Sequence, residues 1–298
     1  SIFSIADNYA AFSHNEYPNL ATAFAATLAS LVGHWNEVFP KSSFTLMFLP
    51  PLVLMISFLK DTRYIIYLFI VFFVIGKFLF NGWADGLVAF YFGSSAFLMY
   101  ILMFENNDYY KNRLIFYLLA FCFFSSLTLI KNEGIAMLVV LFFATSLIKF
   151  YKGELRKNIK TLLFLSLSFL PIILWKLFCY SEGIENDYIN SSILSNLLPR
   201  VGDISNYKLI GYFLLLNEKF LMALSFFLFS FWLRKNNKIF SFVFIISAIY
   251  IFILFIIYLS TPYDFYWQLD SSAARVIRSI SFLLAFFGIY NLKDYKKI

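Results

Sequence analysis

Five ionisable residues of this sequence stand at the ends of long apolar runs, where a charge is costly at membrane depth. Asp85 begins one run, and Lys131 and Glu133 lie in a four-residue turn between two others. Arg275 and Arg278 begin the last run, three residues apart and on one helix face. Arginine binds phosphate oxygens through two hydrogen bonds, and a carboxylate binds a metal ion or a substrate. We therefore interpret these residues as a polar site with a phosphate-binding basic group.

Each feature also has a structural explanation that involves no ligand. Asp85 would stabilise a helix N-terminus, and Lys131-Asn132-Glu133-Gly134 would form a polar hairpin tip. Arg275 and Arg278 would extend their side chains to the membrane interface. Because the two arginines lie on the less basic side of the predicted membrane topology, against the usual charge bias, we favour the functional interpretation.

A second polar group precedes the first apolar run. It comprises Asp7 and the segment His14-Asn15-Glu16-Tyr17-Pro18. Pro18 disfavours the α conformation at Tyr17 and is itself suited to a helix start. Asp7, His14, Glu16 and Tyr17 would then lie in a loop, either as candidate site residues or as ordinary solvated polar groups.

Composition restricts the class of protein. Of 298 residues, 61% are hydrophobic and 14% are charged, against roughly 45–50% and about 25% in soluble domains. The sequence therefore indicates a polytopic membrane protein. The net charge of +7 comes from short Lys/Arg clusters between apolar runs, which is typical of membrane orientation and does not indicate a nucleic-acid partner.

The predicted fold is an all-α bundle of about nine membrane-spanning helices, because a crossing needs about 20 apolar residues in helical conformation. The nine apolar runs are 44–59, 64–80, 84–104, 114–130, 134–150, 160–178, 209–233, 239–259 and 274–291. We expect one transmembrane domain over 1–298, without an internal repeat.

The connections between these runs alternate in basic content. The Lys/Arg-rich set is 60–63, 105–113, 149–160, 234–238 and 293–297, which we assign to the cytoplasm. The other set is 81–83, 131–133, 179–208 and 260–273, which we assign to the exoplasmic side. The C-terminus is then cytoplasmic, and the residues singled out above gather at the outer face.

The first 43 residues are predicted to form part of an outer loop. Its segment 21–32 is apolar but short and rich in Ala, Thr and Ser. We interpret this segment as an interfacial helix, with a tenth crossing as the alternative. Because the sequence starts at Ser1 and this loop has no preceding helix, we expect a first membrane helix upstream.

The arrangement resembles the GT-C superfamily of polytopic glycosyltransferases, in its bacterial branch related to protein mannosyltransferases and aminoarabinose transferases. Four segments, in one order and on one side, carry the resemblance. They are His14 to Pro18, Ala84-Asp85-Gly86, Thr128-Leu129-Ile130-Lys131-Asn132-Glu133-Gly134 and Ser272-Ala273-Ala274-Arg275. The Lys-Asn-Glu-Gly piece is the most specific, and the resemblance covers nearly the whole chain.

The resemblance implies transfer of a sugar from a polyprenyl-phosphate donor to a lipid or glycan acceptor at the outer face of a bacterial inner membrane. Glu16, Asp7 and Asp85 would be catalytic, with Asp85 a ligand if Mg²⁺ or Mn²⁺ is used. The main catalytic acid could also lie upstream of Ser1. The substrate-binding residues would be Lys131, Glu133, Arg275, Arg278, His14 and Tyr17.

Two other functions remain open at the level of the sequence. An O-antigen-type polymerase or ligase also uses lipid-linked sugar and outer-loop arginines. A lipid or solute transporter also holds charges at membrane depth, although transporters often show inverted repeats and broken helices near the midplane.

Overall fold

The structure, a computed structural model, describes residues 16–33, 38–59, 64–65, 68–69, 72, 76, 84–105, 113–184 and 192–292. Every regular element in this part of the chain is helical. The first seven α-helices are α1 (Leu20–Val32), α2 (Val38–Leu59), α3 (Ala84–Phe104), α4 (Arg113–Ile130), α5 (Glu133–Tyr151), α6 (Leu155–Ser166) and α7 (Leu170–Ser181), with a 3₁₀ turn at Leu167–Phe169 between the last two. The remaining six are α8 (Ser192–Val201), α9 (Ile204–Leu215), α10 (Glu218–Arg234), α11 (Asn237–Ser260), α12 (Phe265–Val276) and α13 (Arg278–Leu292).

Six segments in the described ranges are long and apolar enough to cross a membrane. They are Ser42–Leu59, Ala84–Phe104, Glu133–Tyr151, Leu155–Ser181, Asn237–Ser260 and Phe265–Leu292. The chain is therefore an all-helical protein with several candidate membrane spans, and the predicted nine are not confirmed. The segment Leu114–Ile130 is helical but falls among the shorter apolar helices, and most of the predicted span 64–80 lies outside the described residues.

The predicted span 209–233 is broken into α9 and α10, which meet at 68°. The cause is Asn217, whose backbone is extended and whose side chain accepts hydrogen bonds from Lys219 N and Phe220 N. This is an N-terminal cap, which starts a new helix and interrupts the old one. Counting the bent pair as one crossing raises the number of candidate spans to seven.

The predicted outer connection 260–273 was wrong in its conformation, because most of it forms α12. Asp264 caps this helix by accepting a hydrogen bond from Trp267 N at 2.8 Å. The predicted loop 179–208 likewise contains α8 and the start of α9. α8 is amphipathic and not continuously apolar, so the hydropathy pattern of the sequence does not mark it as a membrane span.

The helix α3 lies at the centre of the bundle. All of its residues from 86 to 104 are buried, and the helix packs against α2, α4, α5 and α13. Gly93 makes the α13 contact close, since a Cβ there would lie 2.9 Å from the Phe282 ring. On the far side of α13, α10 packs equally closely at Gly288, where a Cβ would lie 2.8 Å from Phe226.

Aromatic rings fill the space around α3. The Phe97 ring is completely buried and lies 4.8 Å from Phe58, 5.2 Å from Phe286 and 4.9 Å from Tyr290, measured between centroids. Edge-to-face contacts of this kind add stability beyond the buried area. They join α2, α3 and α13 into one packed unit.

We expect Phe97→Ala to destabilise the protein by about 3 kcal/mol, because it opens a cavity that rigid neighbouring helices cannot fill. Reversible unfolding in detergent micelles measures the effect. Phe143→Ala is the matched control, since that ring is 57% exposed on the bundle surface. Equal losses in the two variants would contradict the placement of α3 at the centre.

Candidate functional site

Four of the predicted site residues meet at one end of the bundle. Lys131 Nζ lies 2.9 Å from Asp85 Oδ1 and 2.8 Å from Glu133 Oε1, so one ammonium pairs with two carboxylates. Arg275 Nη1 approaches from the last turn of α12 and lies 3.7 Å from Asp85 Oδ2. The N-terminus of α3, the α4–α5 turn and the α12–α13 junction therefore meet at one cluster of charges.

Burial makes the pairing of Lys131 strong. The Lys131 and Asp85 side chains are only 15% and 11% exposed. Burial by itself lowers the pKa of Lys131, but attraction and hydrogen bonding to the Glu133 and Asp85 carboxylates outweigh it and raise this pKa above its ordinary value. Lys131 is therefore a permanent cation between two acidic groups at physiological pH.

The turn that presents Lys131 and Glu133 depends on Gly134. A Cβ at this position would lie 2.0 Å from the Leu127 carbonyl oxygen, which belongs to the backbone of α4 and cannot rotate away. The glycine has no positive φ, so close approach of α5 to α4 is the reason for it and conformational freedom is not. Only a residue without a side chain lets α5 begin two residues after Lys131.

The four charges border a small cavity that is partly open to solvent. The lining residues are Asp85, Val88, Lys131, Glu133, Met137, Arg275, Val276 and Ser279. Arg275 is the more accessible of the two cations, with a side chain that is 28% exposed against 15% for Lys131. Its Nε donates to Ser271 O at 2.9 Å, which fixes the guanidinium at the cavity edge.

The remaining predicted site residues do not line this cavity in the part of the chain that is described. Arg278 is buried, and its Nε donates to Ala274 O at 3.0 Å. Glu16 is 2% exposed and lies against α7, where its backbone carbonyl accepts from Trp175 Nε1 at 3.2 Å and Lys176 Nζ at 3.0 Å. Tyr17 is half-buried just before α1, and Asp7 and His14 lie outside the described residues.

The sequence-based site omitted Ser279 of α13, which lines the cavity together with Val88, Met137 and Val276. These four side chains are uncharged, so the pattern of charges at the ends of apolar runs does not reveal them.

The carboxylates of the cavity do not fit a divalent cation in this arrangement. Asp85 and Glu133 are both engaged by Lys131 Nζ, which occupies the position between them. Among the described residues there is no group of three side chains of the kind that hold a metal ion. A divalent cation bound between these carboxylates would first have to displace the Lys131 ammonium.

Comparison with known protein families, with curated proteins and with solved structures finds no match to this chain. The GT-C resemblance therefore rests on the residues themselves.

We expect Gly134→Ala to destabilise the protein by about 3 kcal/mol, as overpacking against an immobile backbone does. Gly211→Ala is the matched control, because Gly211 is also helical and a Cβ there would meet its nearest neighbour, Phe255, at 4.0 Å. Thermal unfolding of both variants in detergent checks this. A Gly134→Ala protein as stable as Gly211→Ala would show that α4 and α5 do not approach so closely.

We expect Lys131→Met to destabilise the protein by about 3 kcal/mol, because it leaves two nearby carboxylates without their shared cation. The triple variant Lys131→Met, Asp85→Asn, Glu133→Gln removes both charges and should recover most of the loss. Unfolding free energies of the two variants measure the difference. No recovery in the triple variant would mean that packing of the Lys131 stem, and not charge, is responsible.

Proposed function

We propose that this chain is a membrane glycosyltransferase that moves a sugar from a polyprenyl-phosphate donor to an acceptor of the cell envelope. One observation carries the proposal: Arg275, Lys131, Asp85 and Glu133 converge on a single cavity beside helices that are apolar enough to cross a membrane. A lipid-linked sugar phosphate needs such a place, because its tail stays in the bilayer while its charged head requires polar partners.

Arg275 is the residue that we assign to the donor phosphate. Its guanidinium is the more exposed of the two cations, and it approaches Asp85 to 3.7 Å, against 2.9 Å for Lys131. A planar guanidinium binds two phosphate oxygens at once. Positive charge at this point stabilises the polyprenyl phosphate as it leaves with the bonding electron pair.

The reaction that fits these groups is a direct displacement. The acceptor oxygen attacks the anomeric carbon, the bond from that carbon to the phosphate oxygen breaks, and the acceptor proton passes to a carboxylate base. Asp85 and Glu133 are engaged by Lys131, so we assign them the orientation of sugar hydroxyls. The base would come from the segment before α1, where Asp7 is the candidate, because Glu16 is buried against α7 and does not line the cavity. The configuration at the anomeric carbon would invert.

The proposed membrane orientation follows the basic residues of the opposite end of the bundle. There Lys149 Nζ lies 2.6 Å from Glu154 Oε2 and 4.6 Å from the centre of the Phe104 ring. This basic end of α3 and α5 would face the cytoplasm, since Lys and Arg accumulate there. The cavity at the other end would then face the outer leaflet of the plasma membrane, and the apolar side chains exposed on the bundle would contact lipid.

A lipid or solute transporter is the second candidate, and the 68° break between α9 and α10 is the observation that favours it. Broken helices are frequent in transporters. The charges nevertheless gather at the ends of α3 and α5, and both α9 and α10 lie outside the cavity lining. An O-antigen-type polymerase or ligase would use the same donor class, and it differs from our proposal only in the acceptor.

The decisive experiment is a turnover assay on the protein in lipid vesicles. Polyprenyl-phosphate sugars and an envelope acceptor extract are supplied, and release of free polyprenyl phosphate is followed. We expect acceptor-dependent release that falls by at least about a hundredfold in Arg275→Ala and in Asp85→Asn. The first removes the cation that stabilises the leaving phosphate, and the second removes a carboxylate that orients the sugar.

Arg156→Ala is the matched control, since this arginine is exposed on α6 and does not line the cavity. Its turnover should equal that of the unchanged protein, and thermal unfolding should show all variants folded. Full activity in both Arg275→Ala and Asp85→Asn would remove these residues from the site. Movement of labelled lipid between leaflets without release from any donor would favour the transporter.

A further inference from the structure

The helix α6 carries exposed basic and apolar side chains on one side. Lys157 and Lys160 are three residues apart, and Leu163 and Phe164 follow within one turn of Lys160, so the four lie on one broad helix face. All four side chains are exposed. We refer to these four residues as the basic-apolar strip.

The basic-apolar strip lies on the surface of the bundle. The side of α6 that packs against the bundle is different, since Leu162 and Leu165 are buried there and Thr161 Oγ1 lies 3.0 Å from the Tyr117 hydroxyl of α4. The candidate span Leu155–Ser181, to which α6 belongs, is only 28% buried inside the protein. The strip is therefore on a side of the bundle that would meet lipid.

The positive charge of the strip is not neutralised by the acidic residue nearest to it in sequence. That residue is Glu154, and Lys149 Nζ donates to its Oε2 at 2.6 Å. The hydrogen bond from Lys149 lowers the pKa of Glu154, so this carboxylate is ionised and already paired with a buried lysine. Within the described residues neither Lys157 nor Lys160 forms an ion pair or a hydrogen bond, so both ammonium groups are available to an anion.

The order of side chains along α6 matches the order of groups in a phospholipid. Lys160 precedes Leu163 by three residues, which is about 4.5 Å along the helix axis. Cations are thus followed directly by an apolar surface, as a phosphate is followed by acyl chains. Tyr151 at the end of α5 is also exposed, and tyrosine is enriched at the membrane–water interface.

The chemistry of the strip restricts its partner. Lysines close to a membrane surface attract anionic lipids. A zwitterionic lipid carries its own cation next to its phosphate, so it gains less from two lysines than an anionic lipid does. A soluble phosphate would pair with the lysines and leave Leu163 and Phe164 without a partner. An anionic phospholipid satisfies both parts of the strip.

We propose that the basic-apolar strip is a binding site for an anionic phospholipid. The phosphate would lie between Lys157 and Lys160, and the acyl chains would lie along Leu163 and Phe164. This site is at the opposite end of the bundle from the cavity, and it does not depend on the proposed function. One anionic lipid would remain bound to α6 while other lipids at the protein surface exchange.

The test compares the binding of phosphatidylglycerol and phosphatidylcholine, with identical acyl chains, to the full chain in detergent micelles by native mass spectrometry. We expect the first phosphatidylglycerol to bind at least about tenfold tighter, because two lysines attract its headgroup. The double variant Lys157→Gln, Lys160→Gln should reduce this preference to about twofold. Because both side chains are exposed, its thermal unfolding midpoint should be unchanged.

The double variant Lys235→Gln, Lys238→Gln is the matched control, since it removes the same charge from two exposed lysines of another basic connection. This control should retain the preference of the unchanged chain. An equal loss in the two double variants overturns the site, because general attraction to positive charge would then explain the binding. The site is also overturned if the unchanged chain shows no preference, or if glycerol 3-phosphate, which has no acyl chains, competes as well as phosphatidylglycerol.

Discussion

The shared ion pair of Lys131 with Asp85 and Glu133 is the interaction on which the rest of this structure depends. Each charge stands at the end of an apolar helix, where solvation by water is limited and an isolated charge is costly. Pairing within 3 Å removes that cost only if α3 and the α4–α5 turn hold a fixed position. Gly134 permits the approach, and the packed rings around α3 keep the helix ends in place.

The two cations of this cluster, Lys131 and Arg275, have different roles. Lys131 is enclosed by two carboxylates and serves to hold α3 against α5. Arg275 contacts the cluster at a longer distance and is more exposed, at the cavity edge where we propose that it binds the donor phosphate. The Asp85 and Glu133 carboxylates line the same cavity, where we propose that they orient sugar hydroxyls.

The helical fold could be predicted because the apolar runs are long, and a long apolar run in a membrane has no other way to satisfy its backbone. The prediction of helix boundaries was wrong where a single polar residue or an amphipathic pattern determines where a helix begins. Asn217 caps a new helix inside an apolar run, and Asp264 starts α12 in a segment predicted to be a connection. Length and hydropathy average over such residues, although the polar interruption at 217–219 is visible in the sequence and is compatible with a broken helix or with a simple ion pair.

The sequence by itself determined the helical class, the apolar segments and the ionisable residues at their ends, because these follow from composition and local pattern. It also indicated that Asp85, Lys131, Glu133 and Arg275 share one end of the bundle. Only the tertiary structure decided that Lys131 is shared by two carboxylates, and that Arg278 and Glu16 turn to other partners. Those relations join residues from helices far apart in the chain, and packing alone brings them within reach of one another.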